Sequence, residues 1–184
     1  MTHRTLLVLG GALFAVIAAG ALLFQWDRVQ GPLALEPDGV GSLRLGLDYE
    51  AAVVAARRTA PHTAFAGLGC NGFDEVRYSD EFAGLPVSVM GMSREGKLAE
   101  VEVTVDAPLR TADEAACVAL RDQFADPFLA RFGPAEESWI DDKPVSREHL
   151  LRVGPVLLAA RWFSTGRSCY VSALYGNRVE LTGW

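Results

Sequence analysis

Three cysteines and two of the three histidines are the side chains of this chain that could support covalent or metal chemistry. Cys70, Cys117 and Cys169 form an odd set, which allows one disulfide and leaves one thiol over. No Cys-x-x-Cys pair occurs, and the histidines beyond the N-terminal segment, His62 and His149, stand far apart in the sequence. Because a structural zinc site takes closely spaced cysteine and histidine ligands, the pattern predicts no metal and no other cofactor.

Cys117 and Cys169 are the pair predicted to form the disulfide. Cys117 belongs to an apolar stripe at helical spacing, and Cys169 lies on the apolar face of an alternating strand pattern. A helix packed on that sheet would bring the two together, and closing a loop of about fifty residues stabilises a fold by ~4 kcal/mol in the chain-entropy model. The alternative is that both are unbonded core cysteines, which pack as small apolar residues.

Cys70 is then the free thiol, eight residues after His62. An enzyme using this pair would need the imidazole within hydrogen-bond distance of the sulfur and a third group to orient the imidazole. A small exported hydrolase or thiol enzyme acting through Cys70 and His62 is therefore an alternative hypothesis. The surrounding residues match no nucleophile motif, which favours an incidental thiol and a protein without catalytic residues.

Trp139 and Tyr170 are the residues predicted to contact a partner protein, because tryptophan and tyrosine are common anchors of protein interfaces. Trp139 lies beside a predicted turn, and Tyr170 faces away from Cys169 on the last predicted long strand. The acidic pairs at 80–81 and 141–142 match no calcium-binding loop and are interpreted as solvated turn charges.

Residues 5–24 form an unbroken run of uncharged residues. A helix of that length is about 30 Å long, which is the thickness of the hydrocarbon core of a bilayer. We interpret residues 1–25 as an uncleaved membrane anchor, with a cleaved signal peptide as the alternative. Arg4 on the short N-terminal flank and the acidic sequence beyond the segment predict that the rest of the chain lies outside the cytoplasm.

Gly11, Ala15 and Ala19 recur at every fourth residue of this segment. Small residues at that spacing let two membrane helices approach closely, so they support a further hypothesis, a stabilising subunit that packs against a membrane complex through its anchor. The plainer interpretation is that small residues are simply common in membrane anchors.

The net charge of the chain indicates which classes of partner are disfavoured. Lys plus Arg number 17 against 23 Asp plus Glu, a formal net charge of −6, and no basic stripe is present. A polyanion would be repelled, so nucleic-acid binding is disfavoured. Residues 26–40 are rich in glycine and proline and are interpreted as a linker, and residues 41–184 are long enough for one domain with one core.

The periodicity of residues 41–184 predicts an α+β fold in which two helices pack on an antiparallel sheet, in the order helix, three strands, helix, three or four strands. The first helix is predicted over 49–59 after an Asp48 N-cap, and the second begins at Thr111 in a capping box with Glu114. Pro127 should kink or split the second helix. The strands are predicted at 74–79, 85–92, 98–105, 136–140, 147–152, 156–163 and 168–175, with a short edge at 178–181.

Residues 41–48, Gly-Ser-Leu-Arg-Leu-Gly-Leu-Asp, run directly into a helix rich in alanine and valine. The segment resembles the Gly-x-hydrophobic-x-hydrophobic-Gly-Met-Thr opening of small bacterial envelope domains, namely the SmpA/OmlA (BamE-like) lipoproteins and the repeats of β-lactamase-inhibitor-protein-like folds. The resemblance implies a helix-and-sheet domain that binds proteins rather than turning over substrates.

An apolar segment stands where these lipoproteins carry a lipid-bearing cysteine, which favours the inner membrane as the location. The predicted protein is therefore a single-pass inner-membrane protein with its C-terminal domain in the periplasm. Its predicted function is that of a non-catalytic protein-binding module, and its predicted partner is another protein of the bacterial envelope.

Overall fold

The first helix, α1 (Tyr49–Thr59), forms where the sequence predicts it. The structure is a computed structural model, and it describes residues 33–106 and 108–176. Asp48 occupies the N-cap position with extended backbone, although its side chain makes no capping hydrogen bond. Arginines in the last turn complement the partial negative charge at the C-terminal end of the helix. The helix buries Ala52, Val53 and Ala56.

The strands form two sheets in which every pair of neighbours is antiparallel. The small sheet contains β1 (Leu35–Glu36), β2 (Gly39–Val40) and β3 (Leu43–Arg44). The large sheet contains β4 (Phe65–Leu68), β5 (Asp74–Phe82), β6 (Leu85–Arg94), β7 (Lys97–Val105), β8 (Leu109–Arg110), β9 (Glu137–Asp142), β10 (Arg147–Val153), β11 (Val156–Phe163) and β12 (Ser168–Tyr175). Its order is β4-β5-β6-β7-β12-β11-β10-β9, with β8 paired to β12.

The prediction of an α+β fold is wrong, because the described part of the chain is mostly β. It has twelve strands in two antiparallel sheets and only two helices, α1 and α2 (Glu114–Phe132). The strands that the sequence analysis missed are short: β1, β2, β3 and β8 have two residues each, and β4 has four. Segments of that length show too few alternations for a period of two to be recognised.

The large sheet is built from two halves with the same order of elements. α1 is followed by β4 to β7, and α2 is followed by β9 to β12. The last strands of the two halves, β7 and β12, pair in the middle of the sheet. In each half the chain therefore starts at an edge of the sheet, with β4 or β9 as the outer strand, and ends at the centre.

Both helices cover the same face of this sheet. One row of buried side chains crosses five neighbouring strands in register and consists of Tyr78, Val89, Val103, Ala173 and Leu158. These residues share one core cluster with Ala52 of α1 and Phe124 of α2. We call this the helix face. The opposite face carries the alternate residues of each strand, such as Arg77 and Ser79 of β5, and we call it the open face because no described helix packs on it.

The second helix differs in two details from its prediction. Its N-cap is Asp113, whose side chain accepts a hydrogen bond from the Ala116 amide at 2.9 Å, so the Thr111 capping box does not form. The Thr111 amide instead donates to the Arg167 carbonyl. Pro127 lies inside one uninterrupted helix and does not split it. The helix ends as predicted at Gly133, which has a φ of 96° that glycine adopts without strain.

Residues 33–40 were expected in a linker, but they form part of the folded unit. Leu33 and Val40 are buried in the core, and β1 contacts the C-terminal end of α2. The Arg131 guanidinium donates to the Leu35 carbonyl there at 3.0 Å. The hydroxyl of Tyr78 accepts a hydrogen bond from the Ser42 amide, and burial raises the pKa of Tyr78, so this phenol stays neutral and holds the small sheet in place.

Several predictions concern residues outside the described part of the chain. They are the anchor at 1–25, its small residues Gly11, Ala15 and Ala19, and the short edge at 178–181. Within 33–106 and 108–176, no helix has the length and apolar character needed to cross a bilayer.

Candidate protein-contact surface

The structure joins Cys117 and Cys169 in a disulfide, as the sequence predicts. Cys117 lies in α2 and Cys169 in β12, their Cα atoms are 5.5 Å apart, and neither side chain is exposed. The bond fixes the second helix on a central strand of the large sheet. The disulfide therefore stabilises the packing of α2 on the large sheet, whose other face carries the candidate surface.

The structure does not bring Cys70 and His62 together. His62 precedes β4 and Cys70 follows it, and both side chains are exposed in turns. The two ends of a four-residue strand are about 10 Å apart, which is several times a hydrogen-bond distance. The geometry therefore gives the thiol-enzyme hypothesis no support.

Trp139 and Tyr170 lie on the same face of the large sheet, the open face. Trp139 of β9 is opposite Leu150, which shares its row with Ala159 and Ser172. Tyr170 of β12 belongs to the neighbouring row, three strands away, so the two aromatic rings are separated by about 15 Å. Trp139 is 38% exposed and Tyr170 is 40% exposed. Both residues are thus available to one partner surface.

Tyr170 belongs to an aromatic pair, and an ion pair lies on the two strands between Tyr170 and β9. The ring of Phe163 meets the ring of Tyr170 edge to face, with centroids 5.6 Å apart. In the Tyr170 row, Arg161 donates to the carboxylate of Glu148 at 2.9 Å, and Glu148 is almost fully buried. Because Glu148 is buried and hydrogen-bonded, this pair has little freedom to rearrange. We call Trp139, Leu150, Arg161, Phe163 and Tyr170 the aromatic patch.

The other half of the open face is more polar. The row that starts at Trp139 continues across the sheet through the hydroxyl residues Ser172, Thr104, Ser88 and Ser79. In this row hydroxyl groups begin at β12, whereas at the outer strand β4 the same face carries Phe65, which is 44% exposed and lies against the guanidinium of Arg77.

A second polar cluster lies on the helix face at the start of α2. Glu114 contacts the Nε2 atom of His149 at 2.5 Å and the guanidinium of Arg147 at 3.2 Å, and Arg147 also bonds Asp142. The hydrogen bonds that Arg147 donates to Asp142, and then to Glu114, raise the pKa of Arg147 further above its usual range. The residues border a cavity of about 230 Å³ that the Trp162 side chain also lines. Each charged group is satisfied by another, so the cluster ties α2 to β10.

No group of three or more metal-ligating side chains occurs among the described residues. No family model, no curated protein and no solved structure matches the chain. The resemblance to the SmpA/OmlA lipoproteins thus remains a prediction from residues 41–48.

Sequence analysis missed Phe163, Arg161 and Leu150 as members of the patch. Their own strands alternate well enough to have placed Arg161 and Phe163 on one face. The register between strands was the missing information, because only pairing shows that Arg161 of β11 lies between Glu148 and Tyr170. Pairing between β11 and β12 cannot be read from either strand alone.

Proposed function

We propose that this protein is a membrane-anchored, periplasmic module of the bacterial envelope that binds another envelope protein without catalysis. The observation that carries the proposal is the aromatic patch, which holds the partly exposed Trp139 and Tyr170 on the sheet face that no described helix covers. Tryptophan, tyrosine and arginine dominate the energetics of protein interfaces. All three residue types occur in this patch.

The arrangement of the patch also supports binding. A rigid aromatic side chain loses little rotamer freedom on association, and Tyr170 is held by its contact with Phe163. Arg161 is oriented by the buried Glu148, so a polar contact is positioned in advance. Preorganised groups lose less entropy on binding than flexible ones.

The location is supported by two features of different kinds. The uncharged residues 5–24 are long enough to span a bilayer, and Arg4 precedes them. The Cys117–Cys169 disulfide is a bond that persists in oxidising compartments such as the periplasm. An inner-membrane anchor with the domain outside the cytoplasm is consistent with both the uncharged segment and the disulfide.

The proposal is tested by site-specific photocrosslinking in cells that express the full chain. A photoreactive phenylalanine analogue at Tyr170 should form a covalent adduct of discrete mass with one envelope protein. The same analogue at Val54, which is 48% exposed on α1, is the matched control and should form none. Adding Trp139→Ala should weaken binding by about 2 kcal/mol, or about 30-fold, as at an interface hot spot. Equal adducts from positions 170 and 54, or no adduct from 170, would rule the proposal out.

A further inference from the structure

The outermost strand of the second half, β9, is unusually exposed for the edge of a sheet. It is six residues long, pairs with β10 on one side, and has no described strand on its other side. Trp139 projects on the open face and Ile140, which is 55% exposed, on the helix face. Edge strands normally carry features that prevent pairing with other chains. Large apolar side chains on both faces of β9 therefore need an explanation.

The hairpin that follows β9 shows which of its backbone groups are free. Lys143 and Ser146 exchange two hydrogen bonds, N to O at 2.9 Å and 3.4 Å. In an antiparallel ladder such pairs alternate with pairs that make no hydrogen bond to each other. Counting back along the continuous register, the N–H and C=O groups of Ser138, Ile140 and Asp142 point away from β10. These outward groups are where an added strand would pair.

The charges along β9 restrict what could pair there. Glu136 and Glu137 stand at one end and Asp141 and Asp142 at the other, with Trp139 and Ile140 between them. The aspartates have Lys143 and Arg147 as exposed partners, and such surface pairs contribute little. Neither glutamate takes part in an ion pair within the described residues.

A second copy of the chain fits this edge poorly. Antiparallel pairing of two β9 strands about a two-fold axis at Trp139 places Glu137 of one copy beside Asp141 of the other. Like charges directly opposite one another destabilise a pair of strands. A basic segment from a different protein would instead have its charges matched at both ends.

We propose that β9 binds an extended segment of a partner protein as an additional strand. The middle of that segment is apolar and contacts Trp139 and Ile140, and its ends carry lysine or arginine that face the carboxylates. Backbone hydrogen bonds give such strand addition its affinity, and the alternating side chains give it specificity. This inference rests on the proposed binding function and names the chemistry of the partner.

The first test uses a synthetic eight-residue peptide with two lysines at each end and alternating valine and isoleucine in the middle, so that both of its faces are apolar. Amide hydrogen exchange is measured by NMR on the full chain in detergent. Saturating peptide should slow exchange of the outward amides of Ser138 and Ile140 at least tenfold. A peptide with glutamate in place of lysine is the control and should leave both unchanged. Equal effects of the two peptides, or none from the lysine peptide, would overturn the inference.

The second test uses a matched pair of proline variants. Ile140→Pro removes an outward amide of β9 without removing a hydrogen bond to β10. By the same ladder counting from the Gly69 amide and Phe73 carbonyl, Ala66→Pro removes an outward amide of β4, the opposite edge. With far-UV circular dichroism unchanged in both, Ile140→Pro should weaken peptide binding at least tenfold and Ala66→Pro should not. Equal affinities of the two variants would contradict strand addition at β9.

Failure of this inference can be separated from failure of the proposed function. If the photo-adduct from position 170 persists at full yield in the Ile140→Pro variant, binding occurs at the aromatic patch and strand addition is refuted. If position 170 never forms an adduct, the binding function itself fails. A concentration-dependent dimer in sedimentation that Ile140→Pro abolishes would show that a second copy occupies the edge, which also refutes the inference.

Discussion

Replacing Cys117 and Cys169 together by alanine is expected to lower the free energy of unfolding by about 4 kcal/mol. The two residues are 52 positions apart, and opening the bond restores the conformational entropy of that loop to the unfolded chain. A loss of this size is a large fraction of the roughly 5–15 kcal/mol that stabilises an ordinary domain. Urea denaturation followed by far-UV circular dichroism measures the loss.

The matched control for this experiment is Cys70→Ala. Cys70 is exposed and unbonded, so its replacement should change the unfolding free energy by less than about 0.5 kcal/mol. A double variant that unfolds within 1 kcal/mol of the wild type would mean that the disulfide does not determine the stability of the domain.

Phe124→Ala is expected to cost about 3–5 kcal/mol, because it opens a cavity at the centre of the core. Phe124 is fully buried in α2, and its ring lies 5.2 Å from that of Phe82 in β5 and 5.8 Å from that of Phe128. The three rings join the first half of the sheet to the helix of the second half. Their loss should therefore destabilise both halves in one transition.

The comparison for Phe124→Ala is Leu68→Ala, which truncates a side chain that is 70% exposed at the outer strand β4. A surface truncation of this kind should stay within about 0.5 kcal/mol of the wild type. Calorimetry of both variants gives the contrast directly. Similar melting temperatures for the two would show that the Phe82, Phe124 and Phe128 cluster is not the core that unites the halves.

The long elements of this fold can be predicted from the sequence, because their patterns repeat often enough. The alternation of valine with glutamate and threonine in β7 and the apolar stripe of α2 identify both elements. The paired cysteines follow from the stripe of α2 and the alternation of β12, since Cys117 and Cys169 each lie on the buried side of their own element.

The fold class could not be predicted, because it depends on elements too short to have a period. β1 and β2 lie in a segment whose glycines and prolines resemble a linker, yet Leu33 and Val40 pack in the core. Their pairing is stabilised by contacts with distant residues such as Arg131. Local composition carries no information about such contacts.

The start of α2 shows a second limit. Thr111 and Asp113 are both acceptable N-cap residues, and only one can be used. Pairing of β8 with β12 keeps Thr111 in extended backbone beside Arg167, so the helix begins two residues later. Glu114 is then free to bind His149 and Arg147 rather than to close a capping box.

The candidate surface was partly predictable in the same way. Tyr170 could be assigned to the side of β12 opposite Cys169 from alternation alone. That Trp139 shares this face depends on the register of four strands, from β9 to β12, and the free edge of β9 depends on the order of the sheet. Both are properties of strand pairing, which non-local contacts determine.

One labelling experiment tests most directly whether the domain lies on the oxidising side of the inner membrane. Intact spheroplasts that express the full chain are treated with a membrane-impermeant maleimide, and the labels are counted by mass. We expect one label, on the exposed Cys70, before lysis, and three only after denaturation and reduction, since Cys117 and Cys169 are bonded and buried. Labelling that requires lysis, or three reactive thiols without reduction, would contradict the periplasmic location.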